Sequence, residues 1–171
     1  MAGKLIRAAI IIAAAVCAYW LAVIIHEAGH VCMGLLTGSS FVYFRIGSFM
    51  IYKNQGKLKI TRLNIPGTLG QGIMMPEECE EPSMIKGVLY HGGGGFFNLL
   101  TALIILVTYP SVQNTYFKAF MIILGALSLA LGLINLVPSN ISVPSDGYNM
   151  RALIRSKADR KSIHQMLRIL G

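Results

Sequence analysis

The chain is poor in charge, and acidic residues are the scarcest of its charged residues. Only 13% of the 171 residues are charged, and seven acidic residues stand against fifteen lysines and arginines. The three cysteines, Cys17, Cys32 and Cys79, show no paired spacing, which excludes a disulfide framework and a CxxC metal site. No nucleic-acid-binding motif is present, so the net charge of +8 does not indicate a nucleic-acid partner.

Long apolar runs with very little charge dominate the rest of the sequence, which is 54% hydrophobic. Three of them, at about residues 5–36, 88–108 and 117–138, are long enough to cross a bilayer, since about 20 apolar residues span its hydrocarbon core. Buried core helices of a soluble protein are the alternative, but three such runs in a short chain make it unattractive. The first run is too long for a cleaved signal peptide, although Lys4 and Arg7 precede its apolar part.

The basic residues predict how the spans are oriented. Twelve of the fifteen lysines and arginines lie between the first two spans or in the C-terminal tail, and only Lys4, Arg7 and Lys118 lie on the other side. Cytoplasmic loops carry the excess of positive charge. We therefore expect an integral protein of a prokaryotic plasma membrane, with its N-terminus outside and its C-terminus in the cytoplasm.

The segment between the first two spans has the pattern of a β-hairpin. Residues 41–75 contain aromatic and β-branched stretches, a turn at Asn54-Gln55-Gly56, and a Pro- and Gly-rich end that we expect to be irregular or edge-like. The predicted fold is thus a mainly α membrane protein: three transmembrane helices, a membrane-associated β-hairpin and a C-terminal amphipathic helix. Residues 1–146 form the transmembrane core in this interpretation, and residues 147–171 form a basic cytoplasmic tail.

The first span contains a polar cluster, His26, Glu27 and His30, that interrupts its apolar pattern. Residues four apart share one face of a helix, so both imidazoles can bind one zinc ion. Glu27 lies about 100° round the helix and can take a proton from zinc-activated water. Ionisable groups at bilayer depth are expensive and mark function by default, which favours this interpretation over mutual pairing of histidine and glutamate between helices.

A catalytic zinc site takes three protein ligands, so the third must come from elsewhere in the chain. Four of the seven acidic residues crowd the loop at 76–83, and Asp159 sits among basic residues. Asp146, at the end of the third span, remains as the favoured ligand, and His91 in the second span is its rival.

At this point the sequence resembles the site-2 protease family of intramembrane zinc metalloproteases, in its minimal three-helix form. Four ordered elements within about residues 20–155 carry the resemblance. These are the His-Glu-x-x-His stretch closed by Gly38, the hairpin with its Pro- and Gly-rich strand, Gly94-Gly95-Phe96-Phe97-Asn98, and Asn135 to Pro138 followed by Asp146-Gly147. The chain departs from the family's pattern in having Gly95 where the family has proline, and in the longer spacing between Pro138 and Asp146.

The resemblance implies that His26, His30 and Asp146 bind one zinc ion and that Glu27 is the general base. It further implies that Asn98 and Asn135 steady the substrate backbone or the oxyanion. The expected activity is metalloendopeptidase cleavage within or next to a transmembrane segment near the cytoplasmic side, and the expected partners are the lipid bilayer and a membrane-protein or membrane-bound peptide substrate. Self-association or a regulatory membrane partner stays open, as do two alternatives: a zinc transporter or sensor, and a non-catalytic scaffold of the same fold.

Overall fold

In the computed structural model, which describes residues 1–141 and 143–171, helices make up most of the chain. Three of them are long and apolar enough to cross a membrane: α1 (Ala2–Leu36), α2 (Met84–Thr108, extended by one 3-10 turn to Ser111) and α3 (Thr115–Leu136). Asn114 caps α3 by accepting a hydrogen bond from the Phe117 amide at 3.0 Å. The three apolar runs predicted from the sequence therefore form the three long helices, and the second begins earlier than expected.

The segment between α1 and α2 folds into a four-stranded antiparallel sheet, where the sequence predicted only a hairpin. The strands are β1 (Ser40–Ile46), β2 (Phe49–Asn54), β3 (Lys57–Arg62) and β4 (Gly70–Met75), in the order β3-β2-β1-β4. The β2–β3 hairpin turns at Gln55 and Gly56, which both have positive φ, as the predicted turn requires. β4 returns to pair with β1 and is an edge strand, in agreement with the edge-like character expected for this segment.

The tail consists of two helices rather than the single amphipathic helix that was predicted. These are α4 (Asp146–Arg155) and α5 (Lys157–Leu170). Ser156 separates them with extended φ and ψ angles, and its hydroxyl accepts hydrogen bonds from the amides of Ala158 and Asp159. This serine ends α4 and caps α5, because a capping side chain competes with continuation of the helix.

α1 and α2 approach each other so closely that their contact is made by glycine backbones. A Cβ atom placed on Gly29 would collide with the carbonyl oxygen of Gly93, and one placed on Gly93 would lie 2.5 Å from the carbonyl oxygen of Gly29. α3 packs on the preceding turns of α1 through a small cluster formed by Ala18, Ala22 and Leu124. Small residues at helix contacts permit this approach. The approach brings the polar turn of α1, His26 to His30, against α2.

The end of α3 is connected to α4 by a loop whose two ends meet. The amide of Ser145 donates to the carbonyl oxygen of Ser139 at 2.9 Å, and the Ser145 hydroxyl donates to the carbonyl oxygen of Val137 at 2.7 Å. Gly147 lies directly against the backbone of Leu136, where a Cβ atom would collide. The long spacing between Pro138 and Asp146 therefore closes on itself and returns Asp146 to the end of α3.

We expect Gly29→Ala to destabilise the protein, although alanine favours a helix over glycine by about 1 kcal/mol. The new methyl group would meet the Gly93 carbonyl, and overpacking of this kind costs about 1–3 kcal/mol. The measurement is the midpoint of thermal unfolding in detergent micelles. Gly3→Ala is the matched control, because no atom of the described residues lies within 4 Å of that Cβ position. A Gly29→Ala variant as stable as the wild type would contradict the close approach of α1 and α2.

Candidate metal centre

One turn of α1 places two imidazoles on the same face of the helix, as their spacing predicted. His26 and His30 are both 7% exposed. Their rings meet edge to face, with centroids 4.9 Å apart and planes at 82°, and their Nε2 atoms are 3.3 Å apart. Two ring nitrogens therefore converge on one point inside the bundle.

Asp146, the first residue of α4, adds a carboxylate oxygen to this pair. Its Oδ2 lies 3.1 Å from Nε2 of His26 and 3.3 Å from Nε2 of His30. The three donor atoms thus form a nearly equilateral triangle with sides of 3.1, 3.3 and 3.3 Å. The structure brings together the three residues that were predicted from the sequence as ligands, and together they could hold a metal ion.

The triangle has the dimensions of one face of a metal coordination tetrahedron. With bonds of about 2.0–2.1 Å, the zinc–nitrogen length, adjacent ligands of a tetrahedral ion are about 3.3 Å apart. Gly94 keeps this space open, since a Cβ atom there would lie 2.5 Å from Nε2 of His30 and 2.7 Å from Nε2 of His26. The donor set, its spacing and the cleared space all fit a metal ion with three protein ligands.

The far nitrogen of each imidazole has a partner that can hold its ring in the orientation a metal ligand requires. Nδ1 of His30 donates to the backbone carbonyl of Tyr90 at 2.9 Å, which leaves Nε2 facing the carboxylate of Asp146. Nδ1 of His26 lies 3.3 Å from the amide of Asn98, which is fully buried. Since Oδ1 of Asn98 has no partner among the described residues, a half-turn of this amide lets Oδ1 accept the Nδ1 proton of His26.

The carboxyl group of Asp146 is held in its charged form. Burial by itself would raise its pKa, but the neighbouring imidazoles of His26, His30 and His91 outweigh that effect and lower the pKa well below its usual range. Asp146 is thus an anionic oxygen donor, as metal coordination requires.

Glu27 lies on the adjoining face of the same turn, against the edge strand. It is buried, and a Cβ atom on Gly70 would lie 2.6 Å from its Cγ and 2.9 Å from its Oε1. Gly72 packs equally closely on its backbone, with a Cβ position 2.6 Å from the Glu27 carbonyl oxygen. The two glycines of β4 therefore allow the strand to pass directly over this carboxylate.

His91, the alternative candidate for the third ligand, is not part of the triangle and lies on the side of the other carboxylate oxygen of Asp146. Its Nδ1 is 3.9 Å from Oδ1 of Asp146 and 3.5 Å from the amide of Asn149. Asn135 donates its amide to the carbonyl of Leu131 in its own helix at 3.0 Å, and Asn98 contacts His26. Contact of either asparagine with a substrate stays a prediction.

Sequence reasoning missed Tyr90 and the role of Gly94 and Gly70. Tyr90 supports His30 through its backbone oxygen, so no feature of its side chain could have revealed this contact. Gly94 stands in the Gly94–Asn98 element and Gly70 in the Pro- and Gly-rich end of residues 41–75, but what their missing side chains make room for depends on α1 lying opposite them.

We compared the chain with protein-family models, with curated proteins and with solved structures, and nothing matched. The assignment of the site therefore rests on the chain's own residues and on their geometry.

We expect Asp146→Ala to lower the bound metal of the purified protein, because it removes the only anionic donor of the triangle. Metal content by inductively coupled plasma mass spectrometry is the measurement. Asp159→Ala removes an exposed aspartate from α5 and should leave metal content unchanged. Unchanged occupancy in Asp146→Ala would move the ligand role to His91 or elsewhere.

Gly94→Ala should weaken metal binding by about tenfold or more, the cost of disturbing the support of a ligand, because its methyl group would displace both Nε2 atoms. Gly92→Ala is the matched control on the same helix, since its Cβ position lies 3.5 Å from Met150, an ordinary contact. Competition with a chelator of known affinity measures both variants. Equal affinities would show that the space beside Gly94 does not hold the ion.

Proposed function

We propose that the chain is a zinc-dependent intramembrane endopeptidase of the site-2 protease family. One observation carries the proposal: the His26, His30 and Asp146 donors form a triangle with tetrahedral spacing, and the carboxylate of Glu27 lies against the edge strand β4. The four ordered sequence elements that resemble the family support the same assignment.

Zinc is the ion we propose, because two imidazoles and one carboxylate are a donor set that catalytic zinc takes while a fourth position stays open. A bound zinc ion supplies a Lewis acid that lowers the pKa of water toward neutrality and polarises a peptide carbonyl. His26 and His30 would hold it through Nε2, and Asp146 through Oδ2. Tyr90 and Asn98 keep the two rings from turning.

Glu27 is the general base in this mechanism. Its carboxylate takes a proton from the attacking water and passes it to the leaving amide nitrogen as the peptide bond breaks. The buried position of Glu27 beside the triangle keeps its orientation fixed, and Gly70 and Gly72 let β4 pack directly against it.

The substrate would reach Glu27 as an extended segment added to β4. A transmembrane helix hides its carbonyls in hydrogen bonds, so it must unwind before it can be cut, and an edge strand offers unpaired main-chain groups to the unwound part. The positive charge between α1 and α2 and in the tail supports a site that opens toward the cytoplasm, with the N-terminus outside.

A zinc transporter or sensor could use the same three ligands, and a scaffold could keep the fold without chemistry. Neither of them requires a carboxylate held beside a strand edge. The position of Glu27 against Gly70 therefore favours hydrolysis over both.

Glu27→Gln should retain the fold and full zinc occupancy but lose at least about a hundredfold in cleavage rate, the contribution of a general base. The measurement is release of fragments from a synthetic transmembrane peptide reconstituted with the protein in liposomes, together with zinc content. Glu80→Gln, in the exposed acidic loop, is the control and should cleave normally. A Glu27→Gln variant that cuts as fast as the wild type would refute the base, and a wild type that binds zinc but cuts no peptide would favour the transporter or the scaffold.

A further inference from the structure

The free edge of β4 offers main-chain groups at alternate residues. In the pairing with β1, Gly70 lies opposite Ile46 and Gly72 opposite Phe44, and the amide of Gly47 donates to the carbonyl of Leu69 at 2.8 Å. Hydrogen-bonded and non-hydrogen-bonded pairs alternate along an antiparallel ladder. Leu69 and Gln71 therefore face β1, whereas the amides and carbonyls of Gly70 and Gly72 point toward the free edge.

One of these two positions is already occupied by a side chain from α2. The Tyr90 hydroxyl donates to the carbonyl oxygen of Gly72 at 2.8 Å. Tyr90 is only 6% exposed, and its ring packs in one cluster with Met74 and Leu167. The phenol is therefore fixed by its surroundings at the edge of the strand, in the place that a pairing strand would occupy.

α5 covers the C-terminal end of β4 and the residue that follows it. Arg168 donates to the carbonyl of Pro76 at 3.1 Å, and Leu167 packs against Met74. At Gly70, by contrast, no side chain of the described residues makes a hydrogen bond to the main chain. Gly70 is buried like Gly72, so the two positions differ in hydrogen bonding: the boundary between the unbonded and the bonded part of the edge lies between Gly70 and Gly72.

Tyr90 also determines where this boundary lies relative to the metal centre. Its backbone carbonyl accepts the Nδ1 proton of His30 at 2.9 Å, while its hydroxyl reaches β4. The same residue therefore contacts His30 through its backbone and the strand edge through its side chain, so the distance between the two is set within one residue.

We propose that the Tyr90 hydroxyl is a register stop for the substrate strand, which pairs with β4 at Gly70, beside Glu27, and ends before Gly72. This inference rests on the proposed peptidase function and adds how the scissile bond is selected. A substrate that slid along β4 toward Met75 would have to displace the hydroxyl from the Gly72 carbonyl. The stop therefore keeps one peptide bond next to Glu27.

Tyr90→Phe tests the proposal, because it removes the hydroxyl while the ring packing and the carbonyl that holds His30 stay. With the Gly72 carbonyl free, the substrate can shift by about two residues, the repeat of outward-facing groups along a strand. We expect a second set of product ends displaced by that amount, read by mass spectrometry on the synthetic transmembrane peptide in liposomes. Zinc content should equal that of the wild type, which separates a register effect from damage to the metal centre.

Tyr43→Phe is the matched control. The Tyr43 hydroxyl also bonds to β4, but to the side-chain oxygen of Gln71 at 3.0 Å rather than to the main chain. Its loss should leave the product ends unchanged. Identical product ends in Tyr90→Phe and the wild type would overturn the register stop while leaving the peptidase function intact.

A second measurement decides the proposal even without cleavage. The Glu27→Gln protein, alone and combined with Tyr90→Phe, is photocrosslinked to the same peptide carrying a diazirine side chain at successive positions. Crosslinks near Gly70 that extend toward Met75 only when the hydroxyl is absent would support the stop. The same crosslink pattern in both proteins, or none to β4 in either, would overturn it, and crosslinking without any cleavage by the wild type would count against the peptidase function alone.

Discussion

Close approach of neighbouring backbones to a single turn of α1 makes the other features of the site possible. α2 reaches that turn through Gly93 and Gly94, and β4 reaches it through Gly70 and Gly72. At each of these positions a Cβ atom would meet a backbone atom or a functional side chain at less than ordinary contact distance. Because glycines have no side chain, α2 and β4 enclose His26, Glu27 and His30 while the space between the three donor atoms of the triangle stays free.

The imidazoles of this turn find their partners on other elements of the fold. An ionisable side chain in an apolar helix is costly unless it finds a partner or a metal ion. Here His30 donates to a carbonyl of α2, His26 contacts Asn98, and both imidazoles face the carboxylate of Asp146. The loop that closes between Ser139 and Ser145 brings that carboxylate to the end of the bundle. The same serine that caps α4 therefore also places the third residue of the candidate metal site.

The long helices and the helical spacing of the two histidines were predictable because they depend on local pattern. Apolar runs predicted α1, α2 and α3, and the spacing of His26 and His30 placed both rings on one face. The sheet was predicted only in its β2–β3 hairpin, because β4 pairs with β1 rather than with its sequence neighbour β3, and the glycines around it give no periodic signal. The break between α4 and α5 was missed because it depends on a single side chain. The Ser156 hydroxyl caps α5, and this capping competes with continuation of α4.

The residue types that carry the chemistry could be read from the chain alone: two imidazoles and a carboxylate on one apolar helix, and few acidic residues left to join them. Three-dimensional packing was needed to show that Asp146 rather than His91 completes the triangle, that Glu27 lies against the edge of β4, and that Tyr90 joins that edge to His30. Spacing along a helix sets which side chains share a face. Distances of about 3 Å between residues far apart in the chain depend on how closely the backbones of different segments pack. The sequence of one segment does not by itself specify that packing.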